Sequence, residues 1–242
     1  MSQARGRRCG CTQSASSFRR RKKKKNAVNI LGATPLDFSA NGQVQSIARR
    51  LTEGGFSVQS VWAMGSEIAA IDRAGEAEVN LVVSSVGLPA AEFLRERFGM
   101  PYVVGAPLGD TVSALLLSAL QKSIRTGENE ILPAGTPDAP DTVILGESVS
   151  SRSLAAALLL DYGLCAEVIC PVELPRELEG SFCRQIEDEQ DLQAALSGAR
   201  RVIADPLYRP IVPQDSQFFP LPHEAYSGRI YRKQIPNLVT TW

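Results

Sequence analysis

The chain has 242 residues, of which 44% are hydrophobic and 21% are charged, as is typical of a globular protein with a substantial core. No apolar run approaches the ~18 residues that a membrane-spanning helix needs, so we expect no such helix. Ten of the 26 basic residues stand within positions 1–25, where there is no acidic residue. Positions 26–242 therefore keep 16 basic against 26 acidic residues, which argues against a nucleic-acid-binding core.

Residues 1–25 are predicted to be a disordered basic segment, because Ser, Arg, Gln and Lys dominate and only Phe18 could anchor a core. Such a block is typical of a nuclear signal, a polyanion-binding arm or a transit peptide, and equally of an upstream stretch foreign to the native protein. Cys9 and Cys11 have no nearby ligand-type partner, so no metal site is expected there. Five cysteines without paired spacing, and no secretory leader, indicate a reducing, cytoplasmic location.

Residues 26–126 alternate short apolar runs with amphipathic stretches and are predicted to form a first α/β unit. The predicted strands are 27–31, 56–62, 79–85 and 101–104. The predicted helices lie around 44–51, 66–74, 91–98 and 112–120, and glycines end the first and third of them. The stretch 79–85 is apolar enough for a strand that is covered on both faces.

Residues 127–141 contain two glycines and three prolines, so we predict a linker there. The alternation then resumes over residues 142–242, which are predicted to form a second α/β unit with a C-terminal loop segment. Its predicted strands are 142–145, 166–170, 182–186 and 201–204, and its predicted helices are 150–162 and 188–196. Strands that alternate with helices of this length imply parallel sheets built by right-handed crossovers.

In parallel sheets, ligands bind at the carboxyl ends of the strands, and with two units the cleft between them is the expected site. Asp37 follows the first strand, and the serines of residues 148–151 lie at the mouth of a helix, so both could hold a polar ligand. Helix capping is the alternative interpretation for both. His223, the only histidine, lies in a segment with too many prolines and glycines for regular structure. It could be functional or simply hydrogen-bonded.

Several familiar signatures are absent. Neither opening strand is followed by G-x-G-x-x-G, so NAD is not expected as a cofactor. The sequence contains no Walker A motif, no G-x-S-x-G and no C-x-x-C. Cys165, Cys170 and Cys183 border or lie in predicted strands, and we interpret them as packing residues, since free cysteines are usually buried.

Four segments together resemble component 1 of the nitrogenase-type oxidoreductases, a family that includes reductases of tetrapyrroles. They are residues 28–38 (V-N-I-L-G, then D-F), 77–84 (A-E-V-N-L-V-V-S), 97–109 (R-F-G-M-P-Y, then P-L-G) and 222–228 (P-H-E-A-Y-S-G). The resemblance implies two Rossmann-like parallel-sheet units with flanking helices. Members of the family have three such units, and this chain resembles the second and third.

The resemblance also suggests site residues. A cluster-binding cysteine of the nitrogenase subunit corresponds to Ser84, whose hydroxyl is a poor iron ligand beside a thiolate. A cofactor-binding histidine corresponds to His223, which is therefore the candidate metal ligand. Asp37, Ser84 and His223 are the predicted cofactor-binding residues, and no catalytic residue is assigned. The group expected near them is an iron–sulfur-type metallocluster or a tetrapyrrole, held together with partner chains.

Three functions remain open at this stage. The first is a partial or divergent component 1-like oxidoreductase subunit, which works in an oligomer with a second component 1-like subunit and receives electrons from an ATP-dependent iron–sulfur reductase. The second is a non-catalytic two-lobed module that binds a metallocofactor or tetrapyrrole. The third is an inactive truncated remnant, in which loss of the first unit exposes apolar surface.

Overall fold

The computed structural model describes residues 22–38, 41–133 and 140–240. Two parallel five-stranded sheets with flanking helices make up these ranges, which confirms the predicted α/β class. Most of the predicted basic segment, and positions 134–139 of the predicted linker, lie outside the described residues. No helix within the described ranges combines the length and the apolar character needed to cross a membrane.

The first lobe is the sheet formed by β1 to β5 together with the helices packed on it. Its strands are β1 (Ala27–Leu31), β2 (Ser57–Val61), β3 (Val79–Val82), β4 (Tyr102–Val104) and β5 (Glu130–Ile131), in the order β2-β1-β3-β4-β5. Its helices are α1 (Pro35–Phe38), α2 (Gln43–Glu53), α3 (Ile68–Asp72), α4 (Leu88–Phe98) and α5 (Gly109–Thr126). Every residue of β1, β3 and β4 is buried, which explains why these strands are nearly continuous apolar runs.

The second lobe is the sheet formed by β6 to β10 with its helices. Its strands are β6 (Thr142–Leu145), β7 (Ala166–Cys170), β8 (Cys183–Gln185), β9 (Arg201–Ala204) and β10 (Gln217–Pro220), in the order β10-β9-β6-β7-β8. Its helices are α6 (Ser148–Tyr162), α7 (Glu189–Leu196) and α8 (Glu224–Ser227). Glycines in the left-handed region follow α4, α5 and α6, and the helix end predicted from glycine for residues 91–98 is confirmed in α4.

Three elements differ from the sequence prediction. Strand β5 lies inside the predicted linker, where two residues pair with β4 at the edge of the first sheet. Strand β10 was not predicted, because it is largely exposed, ends in a proline and pairs with β9 alone. The segment around His223, expected to lack regular structure, contains the four-residue helix α8.

The lobes are joined by more than the connection between β5 and β6. Helices α5 and α6 pack together, and the backbone N–H of Ala106 donates to Ser153 Oγ at 2.8 Å. After α8 the chain also returns to the first lobe, where Asn237 Nδ2 donates to Ser46 Oγ at 3.0 Å and Val239 is only 1% exposed within the main core cluster. These contacts fix the orientation of one sheet relative to the other.

Each sheet has one point where the direction of strand order reverses. In the first sheet it lies between β1 and β3, and in the second between β6 and β9. Loops diverge at such a switch point and leave a crevice at the carboxyl ends of the strands, where ligands of α/β proteins bind. Asp37 and Ser84 follow β1 and β3, whereas Glu147 and Asp205 follow β6 and β9.

Candidate functional site

Asp37, Ser84 and His223, the three predicted site residues, come together where the two lobes meet. Ser84 is fully buried and its hydroxyl donates to Asp37 Oδ2 at 2.8 Å. His223 Nε2 lies 3.8 Å from Asp37 Oδ1, and the side chains are 17% and 13% exposed, respectively. The first two residues belong to the first lobe and His223 to the second, so the cluster spans the junction between them.

Local hydrogen bonds hold Asp37 in a fixed orientation. Thr34 Oγ1 donates to Asp37 Oδ2 at 2.7 Å, while the backbone N–H of Asp37 donates back to Thr34 Oγ1 at 3.2 Å. This reciprocal pair closes the first turn of α1, with the Thr34 hydroxyl as its cap. The capping interpretation and the ligand-binding interpretation of Asp37 are therefore compatible, because Oδ1 still faces His223.

His223 is positioned by Asp205, which is 1% exposed and follows β9. Asp205 Oδ2 accepts from the backbone N–H of His223 at 2.7 Å and from Ser227 Oγ at 2.8 Å. His223 Nδ1 in turn accepts the N–H of Ala225 at 3.3 Å and so caps α8. A neutral imidazole that accepts at Nδ1 carries its proton on Nε2. That Nε2 atom is buried and has no hydrogen-bond partner among the described residues.

Glu147 links the second lobe to the loop that carries Ser84. Its carboxylate caps α6 by accepting from the N–H of Ser150 at 2.9 Å, and its Oε1 accepts from the N–H of Ser85 at 2.9 Å. Glu147 itself is 6% exposed. Of the serines predicted to bind a ligand at this helix mouth, Ser148 and Ser150 instead donate to this carboxylate, as the capping interpretation expects.

The carboxylates dominate the electrostatics of the site. Burial, followed by the negative charge of Glu147, raises the pKa of Asp37, although hydrogen bonds from Thr34 and Ser84 oppose the shift. Burial likewise raises the pKa of Tyr226, whose ring centroid lies 5.0 Å from that of His223. The surroundings therefore favour the protonated form of Asp37 in a largely buried space, and a positioned carboxyl of this kind can act as a proton donor.

The described residues do not fit an iron–sulfur cluster, which needs several thiolates. Burial raises the pKa of Cys170 to about 12, and burial also raises that of Cys183, so both thiols stay protonated. The Ser84 hydroxyl is already used as a donor to Asp37. Among the described residues, no group of three or more His, Cys, Asp and Glu side chains is arranged for a metal ion. The metal-ligand role of His223 stays a prediction.

A groove between the lobes begins beside this cluster and has a volume of about 440 Å³. One wall comes from the turn after β3 and the start of α4, the other from the segment after β7. Its lining residues are Ser85, Val86, Leu88, Pro89, Glu92, Val172, Glu173, Pro175 and Glu177. Ser85 connects the groove to the buried site, because it follows Ser84 and donates its N–H to Glu147.

Sequence reasoning missed Glu147, Asp205 and Tyr226. A signal existed for the first two, because each stands at the carboxyl end of a predicted strand, the position that had singled out Asp37. Tyr226 carries no such signal, since its place beside His223 depends on the short helix α8.

The fold and the junction site define a two-lobed α/β protein with its crevice between parallel sheets. The family model of nitrogenase component 1 type oxidoreductases matches residues 1–144, and the chain belongs to this family. A solved structure titled "Nitrogenase Cp1 at pH 5" shares the fold with a TM-score of 0.56 and 14% identity, covering 87% of this chain and 53% of that one. The resemblance stated from the four sequence segments is thereby confirmed.

Curated relatives are subunits B of light-independent protochlorophyllide reductases. The protein from Prosthecochloris aestuarii is 38% identical over 84 residues, which cover 34% of this chain and 16% of the relative. The protein from Chlorobium limicola is 34% identical over 114 residues, covering 46% of this chain and 21% of the relative. The chain thus aligns with about a fifth of the length of these relatives.

Proposed function

We propose that the chain is a component 1-type oxidoreductase subunit that reduces a tetrapyrrole-type substrate bound at the junction of the lobes. One observation carries the proposal: Asp37, at the switch point of the first sheet, faces His223 Nε2 of the second lobe, and both side chains are largely buried. Family membership supports the oxidoreductase class, and the curated relatives, named as protochlorophyllide reductase subunits, support the substrate class.

The residues of the chain act in this proposal as proton donors. A two-electron reduction of a double bond takes up two protons, which must come from groups that hold them near neutral pH. Asp37 is the candidate donor, because burial and the charge of Glu147 raise its pKa and so favour its protonated form. His223 faces this carboxyl from the second lobe, with its Nε2 3.8 Å from Asp37 Oδ1, and the second proton passes through the same carboxyl after it has been reprotonated. Ser84 and Asp205 are positioning residues that orient this pair.

The electrons enter from other chains. Because Cys170 and Cys183 are buried and burial raises the pKa of both thiols, an iron–sulfur cluster near the site takes its thiolate ligands from elsewhere in the complex. The partners we propose are a second component 1-like subunit and an ATP-dependent iron–sulfur reductase. Their kind follows from the family and not from any contact of this chain.

The test is anaerobic reconstitution of the chain with such a subunit, its reductase, ATP and a tetrapyrrole. The proposal predicts that the absorption bands of the oxidised macrocycle disappear only when all components are present. Omission of ATP and omission of this chain are the matched controls. Tight binding of the macrocycle without any reduction would contradict the proposal and would instead favour the binding module.

A further inference from the structure

The groove beside the site has apolar walls from both lobes. Val86, Leu88 and Pro89 stand on the first wall, and Val172 and Pro175 on the second. Val86 is 59% exposed and Val172 is 42% exposed, although both are aliphatic side chains at the edge of a cleft. A concave space of this size with mostly apolar lining is typical of a site for a small organic ligand.

The polar part of the same lining is acidic. Glu92 stands on the first wall and Glu173 and Glu177 on the second, and no lysine or arginine is among the lining residues. Within residues 22–38, 41–133 and 140–240, no ion pair involves any of these three carboxylates. Glu92 and Glu177, from opposite walls, both lie near the Tyr102 phenol, because after burial the charges of both contribute to its raised pKa.

This charge pattern selects among ring-shaped ligands. Three carboxylates around an apolar space repel a ligand whose edge carries carboxylates, and they attract one whose edge carries cations. Amide groups are also accepted, because they donate hydrogen bonds to carboxylates without charge repulsion. The repulsive element matters as much as the attractive one, since specificity is a difference between two affinities.

We propose that this groove selects a macrocycle whose edge carries cationic or amidated groups over one with free carboxylates. This inference rests on the proposed function. Glu92, Glu173 and Glu177 are its specificity-determining residues. The ring contacts the two aliphatic walls, and its inner edge reaches the turn at Ser85, next to the buried site.

The experiment uses two porphyrins with the same ring and opposite charge. They are meso-tetrakis(N-methylpyridinium-4-yl)porphyrin and meso-tetrakis(4-sulfonatophenyl)porphyrin, titrated into the full chain and followed by their Soret absorbance. We expect the cationic porphyrin to bind at least about tenfold more tightly, the order that several exposed charges supply together. Raising the salt concentration should reduce this preference, because the carboxylates are exposed.

The triple variant Glu92→Gln, Glu173→Gln, Glu177→Gln tests whether the groove is responsible. The matched control is Glu53→Gln, Asp191→Asn, Asp215→Asn, which changes the net charge equally at residues outside the groove. We expect the groove variant to lose most of the preference and the control to keep it within about twofold. All six positions are exposed, so circular dichroism should show both variants folded.

The possible outcomes separate this inference from the proposed function. If the sulfonated porphyrin binds as tightly as the cationic one, or if the groove variant keeps the preference, the inference is overturned while the proposed substrate class stands. If neither porphyrin binds up to a concentration of about 100 μM, the dissociation constants are near-millimolar or weaker. The inference and the proposed function are then both overturned. A preference that is lost in the groove variant alone supports the inference.

Discussion

Asp37 is the residue on which the site depends, and its surroundings favour its protonated form. Its carboxyl is largely buried, faces the charge of Glu147, and accepts two hydroxyl hydrogen bonds that only partly offset these effects. A carboxyl whose pKa is raised on folding binds its proton more strongly in the native state than in the unfolded state. Its protonation is therefore linked to the stability of the fold.

The substitution Asp37→Asn tests this linkage. With a raised native pKa, the stabilising contribution of Asp37 is fully present below its ordinary value of 3.8 and is lost as the pH rises through the native value. The difference in unfolding free energy, wild type minus variant, should therefore fall as the pH increases through this window. The fall is up to about 1.4 kcal/mol per pH unit. Urea unfolding of both proteins at a series of pH values measures this difference. A difference that rises with pH would contradict a raised native pKa for Asp37.

Residue-level reasoning from the sequence found the acid, the serine and the histidine, but not how they meet. His223 and Asp37 are brought together by the packing of one lobe on the other, and no local pattern encodes that packing. The sequence predicts ligand-binding serines beside Glu147, whereas Ser148 and Ser150 serve as hydrogen-bond donors to its carboxylate. The resemblance to a family supplied Ser84 and His223 where periodicity could not.

At the scale of elements, the turn after β3 positions Ser84, and two glycines make that turn possible. A Cβ atom on Gly87 would lie 2.7 Å from the carbonyl carbon of Leu31 and 2.8 Å from the nitrogen of Gly32. Gly32 itself has a φ of +83°, in the left-handed region, and approaches the Ser84 carbonyl. The loops after β1 and β3 are therefore in backbone contact, which brings Asp37 and Ser84 together.

Gly87→Ala should separate these loops. The added methyl group meets backbone that cannot yield easily, so we expect a loss of about 1–3 kcal/mol in unfolding free energy and a weaker hold of Ser84 on Asp37. Gly180→Ala is the matched control, because no atom lies within 4 Å of its built Cβ and its φ is not positive. Chemical denaturation of both variants decides the matter. Equal stability of the two would show that the close approach is not a constraint.

Sequence periodicity located eight of the ten strands, and the two exceptions have a physical reason. Apolar runs mark strands that are covered on both faces, as in β1 and β3. Strands β5 and β10 are edge strands whose residues are partly exposed, so they carry no apolar run. Prolines stand near or within both, and proline is tolerated at a sheet edge although it argues against a central strand.

For the whole molecule, the orientation of the lobes depends on the segment that follows α8. Val239 lies in the core of the first lobe, and Asn41 Nδ2 of that lobe donates to the carbonyls of Ile235 and Pro236 at 3.3 and 3.2 Å. This segment ties the first lobe to the chain that carries His223. Its attachment therefore bears on the site itself.

Val239→Asp should detach this segment. The carboxylate would have to be buried without a partner, so we expect a loss of roughly 3 kcal/mol in the unfolding free energy. Thr240→Asp, an exposed neighbour, introduces the same charge and should cost less than about 1 kcal/mol. Hydrogen exchange of the backbone around His223 gives the second readout. If that exchange is the same in both variants, the segment does not hold the site in place.

We propose that Asp37 supplies a proton to a macrocycle held between the lobes, and the substitution Asp37→Asn separates this role from binding. Single-turnover reduction and equilibrium binding of the same macrocycle are measured for the reconstituted wild type and for Asp37→Asn. Proton donation by Asp37 predicts an unchanged dissociation constant with a reduction rate lowered by about 10²-fold or more, the range that general acid catalysis contributes. A variant that reduces the macrocycle at the wild-type rate would contradict it.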